Sequence, residues 1–211
     1  MAKLLITSGP TRQYIDPVRY ISNASSGKMG CCLANAAIQN GHEVVVVSGP
    51  VQIDYPDGVE VIPVVSTEDL LETCKSVFPS CDGLIGAAAP CDYRPVQVAD
   101  HKIRKTGETL ELKLVETEDV VATLGAMKTD RQWTVGFALE TEDARFRALS
   151  KLIRKSCDLV VLNGVSAIDS DENAIEIISS EGKIVAQENG DKQKVAEKVI
   201  HSIESFLIDS K

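Results

Sequence analysis

Five short apolar runs, each ending in turn residues and separated by amphipathic stretches, set the tightest constraint on this chain. They are "KLLITSG" (3–9), "HEVVVVSGP" (42–50), "DGLIGAAA" (82–89), "WTVGFAL" (133–139) and "DLVVLN" (158–163). Runs this short, without polar alternation, suit strands covered on both faces. "VEVIPV" (59–64) is a further candidate strand. Helical spacing of Met29, Leu33, Ala36 and Ala37 predicts a helix over 28–40, stopped by Gly41. A Ser/Thr cap, early acids and a leucine stripe predict another over 66–78. Further helices are expected at 118–127, 141–155 and, closing the chain, 190–208. Such alternation implies an α/β fold: a Rossmann-like, doubly wound, mostly parallel sheet. One domain over 1–211 is expected, with ligands beyond the carboxyl ends of the strands.

Three stretches depart from that rhythm. A long loop holding Pro10 and Pro17 follows the first run. Residues 90–116 are polar, carry two prolines and a basic knot, and then alternate along "TLELKLV". They read as a flap followed by an exposed strand. "NAIEII" and "KIVAQE", joined by "SSEG", read as a hairpin.

The net charge of −9 argues against general nucleic-acid binding, which needs clustered Lys and Arg. No apolar run is long enough to cross a membrane, and "MAKLLITSGP" reads as a first strand, not a signal peptide. Six cysteines show neither CxxC nor zinc-finger spacing. Reduced thiols and a cytoplasmic location are the expectation.

"ISNASSGKMG" (21–30) places glycines, serines and a lysine between a strand and a helix. Unpaired N–H groups at a helix start attract phosphate oxygens. The stretch is neither GxGxxG nor a P-loop, which needs a glycine four residues before its Gly-Lys pair. On motif grounds a phosphate site and a tight turn both remain open.

The wider stretch "DPVRYISNASSGKMG" closely resembles the signature of the phosphopantothenoylcysteine synthetases. Other segments agree in order: "AAAPCDYRP", "KIRKT", "VETEDVVATLGAMK", "VGFALET" and "KLIRKSCDLVVLNGVS…DSDENAIEII". The resemblance covers nearly the whole chain. It extends only to the synthetase half of the bifunctional bacterial proteins, so neither flavin nor decarboxylation is expected.

The resemblance implies a ligase that joins 4′-phosphopantothenate to L-cysteine through an acyl-nucleotide, expelling pyrophosphate, in coenzyme A synthesis. CTP is favoured over ATP as co-substrate, with Mg²⁺ carried by the triphosphate and no certain protein ligand. A homodimer with the active site at the subunit interface is implied. Asn23 and Lys102 are the implied catalytic residues, serving the acyl-nucleotide, with Arg104 and Lys105 supporting Lys102. Ser25, Gly27, Gly30, Glu118, Asp119, Val120, Phe137, Lys151, Lys155 and Asn163 match nucleotide positions. Arg19, Ala88, Ala89 and Asp92 match phosphopantothenate positions, Arg19 reaching the neighbouring subunit's substrate. Asp92 is either an acceptor for the pantothenate hydroxyl or amide, or a neighbour of metal and nucleotide. Thr117 is the expected cap of the 118–127 helix. Gly164, Ile168 and Asp169 depart from the family pattern at the edge of the site.

Two other classes remain. A nicotinamide-dependent oxidoreductase of the same fold class needs a glycine fingerprint and an acid after the second strand, and "VVVVSGP" has none. A non-catalytic nucleotide-binding subunit would keep the fold without turnover.

Overall fold

The structure is a computed structural model that describes residues 1–139, 143–163 and 172–209. Its frame is an eight-stranded sheet. Six strands run parallel: β1 (Lys3–Ser8), β4 (Glu43–Ser48), β5 (Glu60–Pro63), β6 (Gly83–Gly86), β9 (Trp133–Leu139) and β10 (Leu159–Asn163). A hairpin of β11 (Glu172–Ser179) and β12 (Ile184–Asp191) continues the sheet antiparallel to β10. The spatial order is β12-β11-β10-β9-β6-β1-β4-β5.

Burial on both faces follows from the apolar runs. Leu4 and Ile6 face α1 (Lys28–Gln39) and α5 (Lys192–Ile203), while Leu5 faces α2 (Thr67–Val77) and α3 (Val120–Met127). On β10, Val160 and Leu162 meet α4 (Ala144–Arg154), whereas Leu159 and Val161 join the α1–α5 side. Two helices therefore cover one face and three the other. At ~25 cal/mol per Å² of apolar surface, burial of these side chains is the main favourable term in folding. The chain builds outward from β1 to β4 and β5, then crosses over to β6, β9 and β10. The strand order thus reverses between β1 and β6, where open sheets leave a crevice.

The expected doubly wound sheet is present, with differences in detail. The long loop after β1 contains a hairpin of β2 (Arg12–Tyr14) and β3 (Tyr20–Ser22). The Asp-Pro turn at 16–17 reverses the chain there. The alternating "TLELKLV" contributes only β8 (Leu114–Glu116), which pairs with β7 (Tyr93–Pro95). Alternation at 109–113 finds no partner strand and forms no ladder. Thr117 is not the cap of α3. Asp119 is, accepting from the Ala122 N–H at 3.1 Å, while the Thr117 hydroxyl donates to the Cys91 carbonyl at 2.6 Å. The closing helix starts later than its pattern suggests, because β12 runs through Asp191, whose carboxylate then caps α5. A π-helical turn, Glu204–Ile208, follows.

Gly164, Ile168 and Asp169 lie outside the described residues, as does the start of the expected 141–155 helix. Among the described residues no helix is long and apolar enough to cross a membrane. Burial pushes the Cys74 and Cys157 thiols up to about 12 and about 11, so both are protonated at neutral pH.

Candidate active site

A cavity of about 580 Å³ opens at the β1/β6 reversal. Its floor is Thr7, Gly86, Gly136 and Phe137, from three adjacent parallel strands. One wall is the turn after β6, with Ala88, Pro90, Cys91, Asp92 and Tyr93. The other is the start of α3, with Glu118, Asp119 and Val120, and the end of α4, with Arg154 and Lys155.

Seven residues singled out from the sequence meet here: Ala88, Asp92, Glu118, Asp119, Val120, Phe137 and Lys155. The Ala88 and Ala89 N–H groups are already spoken for, donating to the Thr7 hydroxyl at 3.2 Å and the Gly9 carbonyl at 2.9 Å. Lys155 approaches the Asp119 carboxylate at 3.0 Å. Lys151 does not line the cavity, although four residues earlier. Helical geometry ends at Arg154, so the shared-face rule for i,i+4 stops at the cap. Arg154 takes that place on the wall.

Ser25, Gly27 and Gly30 form a second group, at the start of α1. Gly27 caps the helix in the left-handed region, φ +76°, and no side chain caps it. No acidic residue stands in that first turn either, so its first N–H groups have no side-chain cap and no carboxylate of their own turn. Gly30 is a packing position: a Cβ there would stand 2.1 Å from Ser8 Oγ and 2.5 Å from Ser8 Cβ. Gly30→Ala is expected to cost roughly 1–3 kcal/mol by forcing α1 off β1. A denaturant melt reads it, and an unchanged midpoint would show that the helix can shift freely.

Asn23 joins the two groups. It lies between β3 and α1, and its Nδ2 donates to the Pro90 carbonyl at 2.8 Å and the Ala89 carbonyl at 3.3 Å. The helix start is thereby fixed to the cavity wall.

Three expected residues lie elsewhere. Asn163 lines a separate cavity of about 600 Å³ beside β11 and β12, and its Oδ1 is buried without a partner among the described residues. Lys102 is exposed on the flap and is not part of the cavity lining. Arg19 is engaged within its own chain, with Nη1 3.0 Å from Asp16 Oδ2 and both terminal nitrogens 3.2 Å from the Ile103 carbonyl.

What holds the Pro90–Asp92 wall has no signal in the local sequence. The Cys91 N–H donates to Thr11 Oγ1 at 2.8 Å, Thr11 Oγ1 lies 2.8 Å from Thr67 Oγ1, and Thr67 Oγ1 donates to the Cys91 carbonyl at 3.2 Å. Each hydroxyl has one proton to give, so the ring has a single consistent direction. It satisfies both peptide groups of a buried residue. Asp16 was missed as well. Burial acts to raise its carboxyl, but N–H bonds from Val18, Ile103 and Arg19, with the Arg19 charge, outweigh that and hold it below the usual range.

Fold and cavity define a Rossmann-like α/β domain with an open, polar ligand site at its topological switch point. The chain belongs to the DNA/pantothenate metabolism flavoprotein C-terminal domain family, which it matches over residues 1–207. It is 43% identical over 187 residues to the coenzyme A biosynthesis bifunctional protein CoaBC of Vibrio parahaemolyticus, covering 86% of this chain and 47% of that one. Against the CoaBC of Bacillus subtilis it is 44% identical over 184 residues, 85% of this chain and 45% of the other. The chain spans about half the length of these curated relatives. The crystal structure of the C-terminal domain of a CoaBC superposes with a TM-score of 0.85 at 36% identity, covering 98% of this chain and 96% of that one.

Proposed function

We propose that this domain is the phosphopantothenate–cysteine ligase of coenzyme A biosynthesis, activating the 4′-phosphopantothenate carboxylate as an acyl-nucleotide that the L-cysteine amine then attacks. The observation that carries this is the meeting of Ala88 and Asp92 with Glu118, Asp119, Val120, Phe137 and Lys155 around one crevice, with Asn23 tying the α1 start to its wall. The matched relatives' names support the same reading.

In this reading the triphosphate lies between the uncapped α1 start and the α3–α4 wall, and phosphopantothenate lies along Ala88, Ala89 and Asp92. Phe137, at the cavity floor, is placed for the base, with CTP preferred to ATP. Electrostatics decides what else is needed. Arg154 and Lys155 face Asp92, Glu116, Glu118 and Asp119 around the cavity, so its own balance is negative. A triphosphate is bound only if further cations arrive. A magnesium ion is the source for the bound triphosphate, while Lys102 on the flap, supported by Arg104 and Lys105, serves the acyl phosphate that forms from it. Among the described residues no three acidic, His or Cys side chains converge on a metal position. In this proposal the ion would be brought in by the triphosphate and keep most of its waters, with Asp92 and Glu118 available on the cavity wall. The magnesium would neutralise charge on the phosphates. No flavin role is proposed for this domain.

A homodimer is part of the proposal. The two small sheets, separate from the main one, carry exposed Tyr14, Tyr20, Tyr93 and Leu114. A second copy would cover this surface.

The test is pyrophosphate release from 4′-phosphopantothenate, L-cysteine and either CTP or ATP. Release with CTP at a several-fold higher kcat/KM than with ATP is the expected outcome. Equal rates would overturn the base preference, and no release with either nucleotide would overturn the ligase reading.

A further inference from the structure

The flap carrying Lys102 has little regular structure, yet it is not loose. The Ala99 N–H donates to the Ile15 carbonyl at 3.0 Å, and the peptide of Ile103 is gripped on both sides. Its N–H donates to Asp16 Oδ2 at 3.1 Å, and its carbonyl accepts from both terminal nitrogens of Arg19. Asp16 is 0% exposed. Its Oδ1 accepts from the Val18 and Arg19 N–H groups at 2.8 Å each, and its Oδ2 also receives Arg19 Nη1. One buried carboxylate therefore closes the β2–β3 turn with one oxygen and fastens the flap with the other. Lys102 lies between the two fastened points, one residue before Ile103.

We propose that Asp16 is a positioning residue for the reaction: it sets where Lys102 stands by holding the Ile103 peptide against the β2–β3 turn. The role rests on the ligase reading above, in which Lys102 supplies charge to the acyl phosphate. Aspartate suits this place because all four of its hydrogen-bond partners are donors. Asparagine keeps an acceptor for the turn but sets an NH₂ group against the Ile103 N–H and the Arg19 guanidinium. It breaks the flap's tether and leaves the turn closed.

The test uses the whole chain with Asp16→Asn, Ile103→Pro and the double variant. Ile103→Pro removes the same N–H from the flap side without touching the buried acid, so it serves if Asp16→Asn folds poorly. In Asp16→Asn, amide exchange of Ile103 is expected to speed about tenfold, the loss of one charge-assisted bond. First-turnover pyrophosphate release should fall about tenfold in each single variant, with nucleotide KM unchanged. The double variant should be no slower than Asp16→Asn, because both changes cut one link. Additive losses, a changed nucleotide KM, or wild-type first-turnover rates in Asp16→Asn would each overturn the role. Pyrophosphate release by the wild-type protein separates the two ideas: its absence overturns the ligase reading itself, and its presence beside an unaffected Asp16→Asn overturns only the positioning.

Discussion

Asn23→Ala is expected to slow pyrophosphate release by a factor of about 10² to 10³, the scale of losing one preorganised donor beside developing charge. The side chain is exposed, so little apolar surface is lost. Its two hydrogen bonds run to carbonyls of the Ala89–Pro90 wall, and removing them should cost only about 1 kcal/mol of stability. The large and small numbers together are the signature: a folded protein that barely turns over. Asn23→Asp sharpens the case. It is nearly the same shape, but it has no donor and sets a carboxylate against two carbonyl oxygens beside the proposed phosphate site. It should be at least as slow as Asn23→Ala. Turnover within threefold of wild type in either variant would remove Asn23 from the chemistry and leave it a tether between α1 and the cavity wall.

Much of the fold was readable because it rests on local pattern. Leu4, Leu5 and Ile6 are consecutive and all buried, which happens when a strand has helices on both faces. Ser66 and Asp69 form a capping box that three-residue spacing announces. The site was readable in another way. Asp92, Glu118 and Lys155 lie far apart in sequence, and only the ordered resemblance put them in one list before the crevice did. What stayed hidden has a common cause. Thr11, Thr67 and Cys91 close a ring across separations of 56, 24 and 80 residues, and no periodicity encodes such a contact. Nothing in the local sequence marks Asp16, because its bond to Ile103 spans 87 positions. The alternating 109–113 stretch shows the converse. A period of two makes a strand only where a neighbour offers a ladder, and here the partner, β7, is three residues long.

Lys102→Gln tests the flap's part in the chemistry. The substitution keeps most of the side chain's length and its hydrogen bonding and removes only the charge. Lys102 is exposed and outside the cavity lining, so nucleotide affinity should change little and the melting midpoint less. The reaction differs. In the proposed reaction the carboxylate attacks the α-phosphate, and negative charge would gather on an anhydride set against the cavity wall of Asp92, Glu118 and Asp119. A cation at 4 Å is worth about 4 kcal/mol at an effective dielectric near 20, enough for roughly a thousandfold in rate. In this proposal part of that would come from magnesium and from Arg154 and Lys155, so a loss of about 10² in first-turnover rate is the expected result. Rapid-quench measurement should then find bound nucleotide with either no acyl-nucleotide or one that accumulates, depending on which half-reaction needs the charge more. The loss should shrink as salt rises, since an exposed cation is screened within about 10 Å at 0.1 M. Full single-turnover activity in Lys102→Gln would show that the flap covers the site without acting on it.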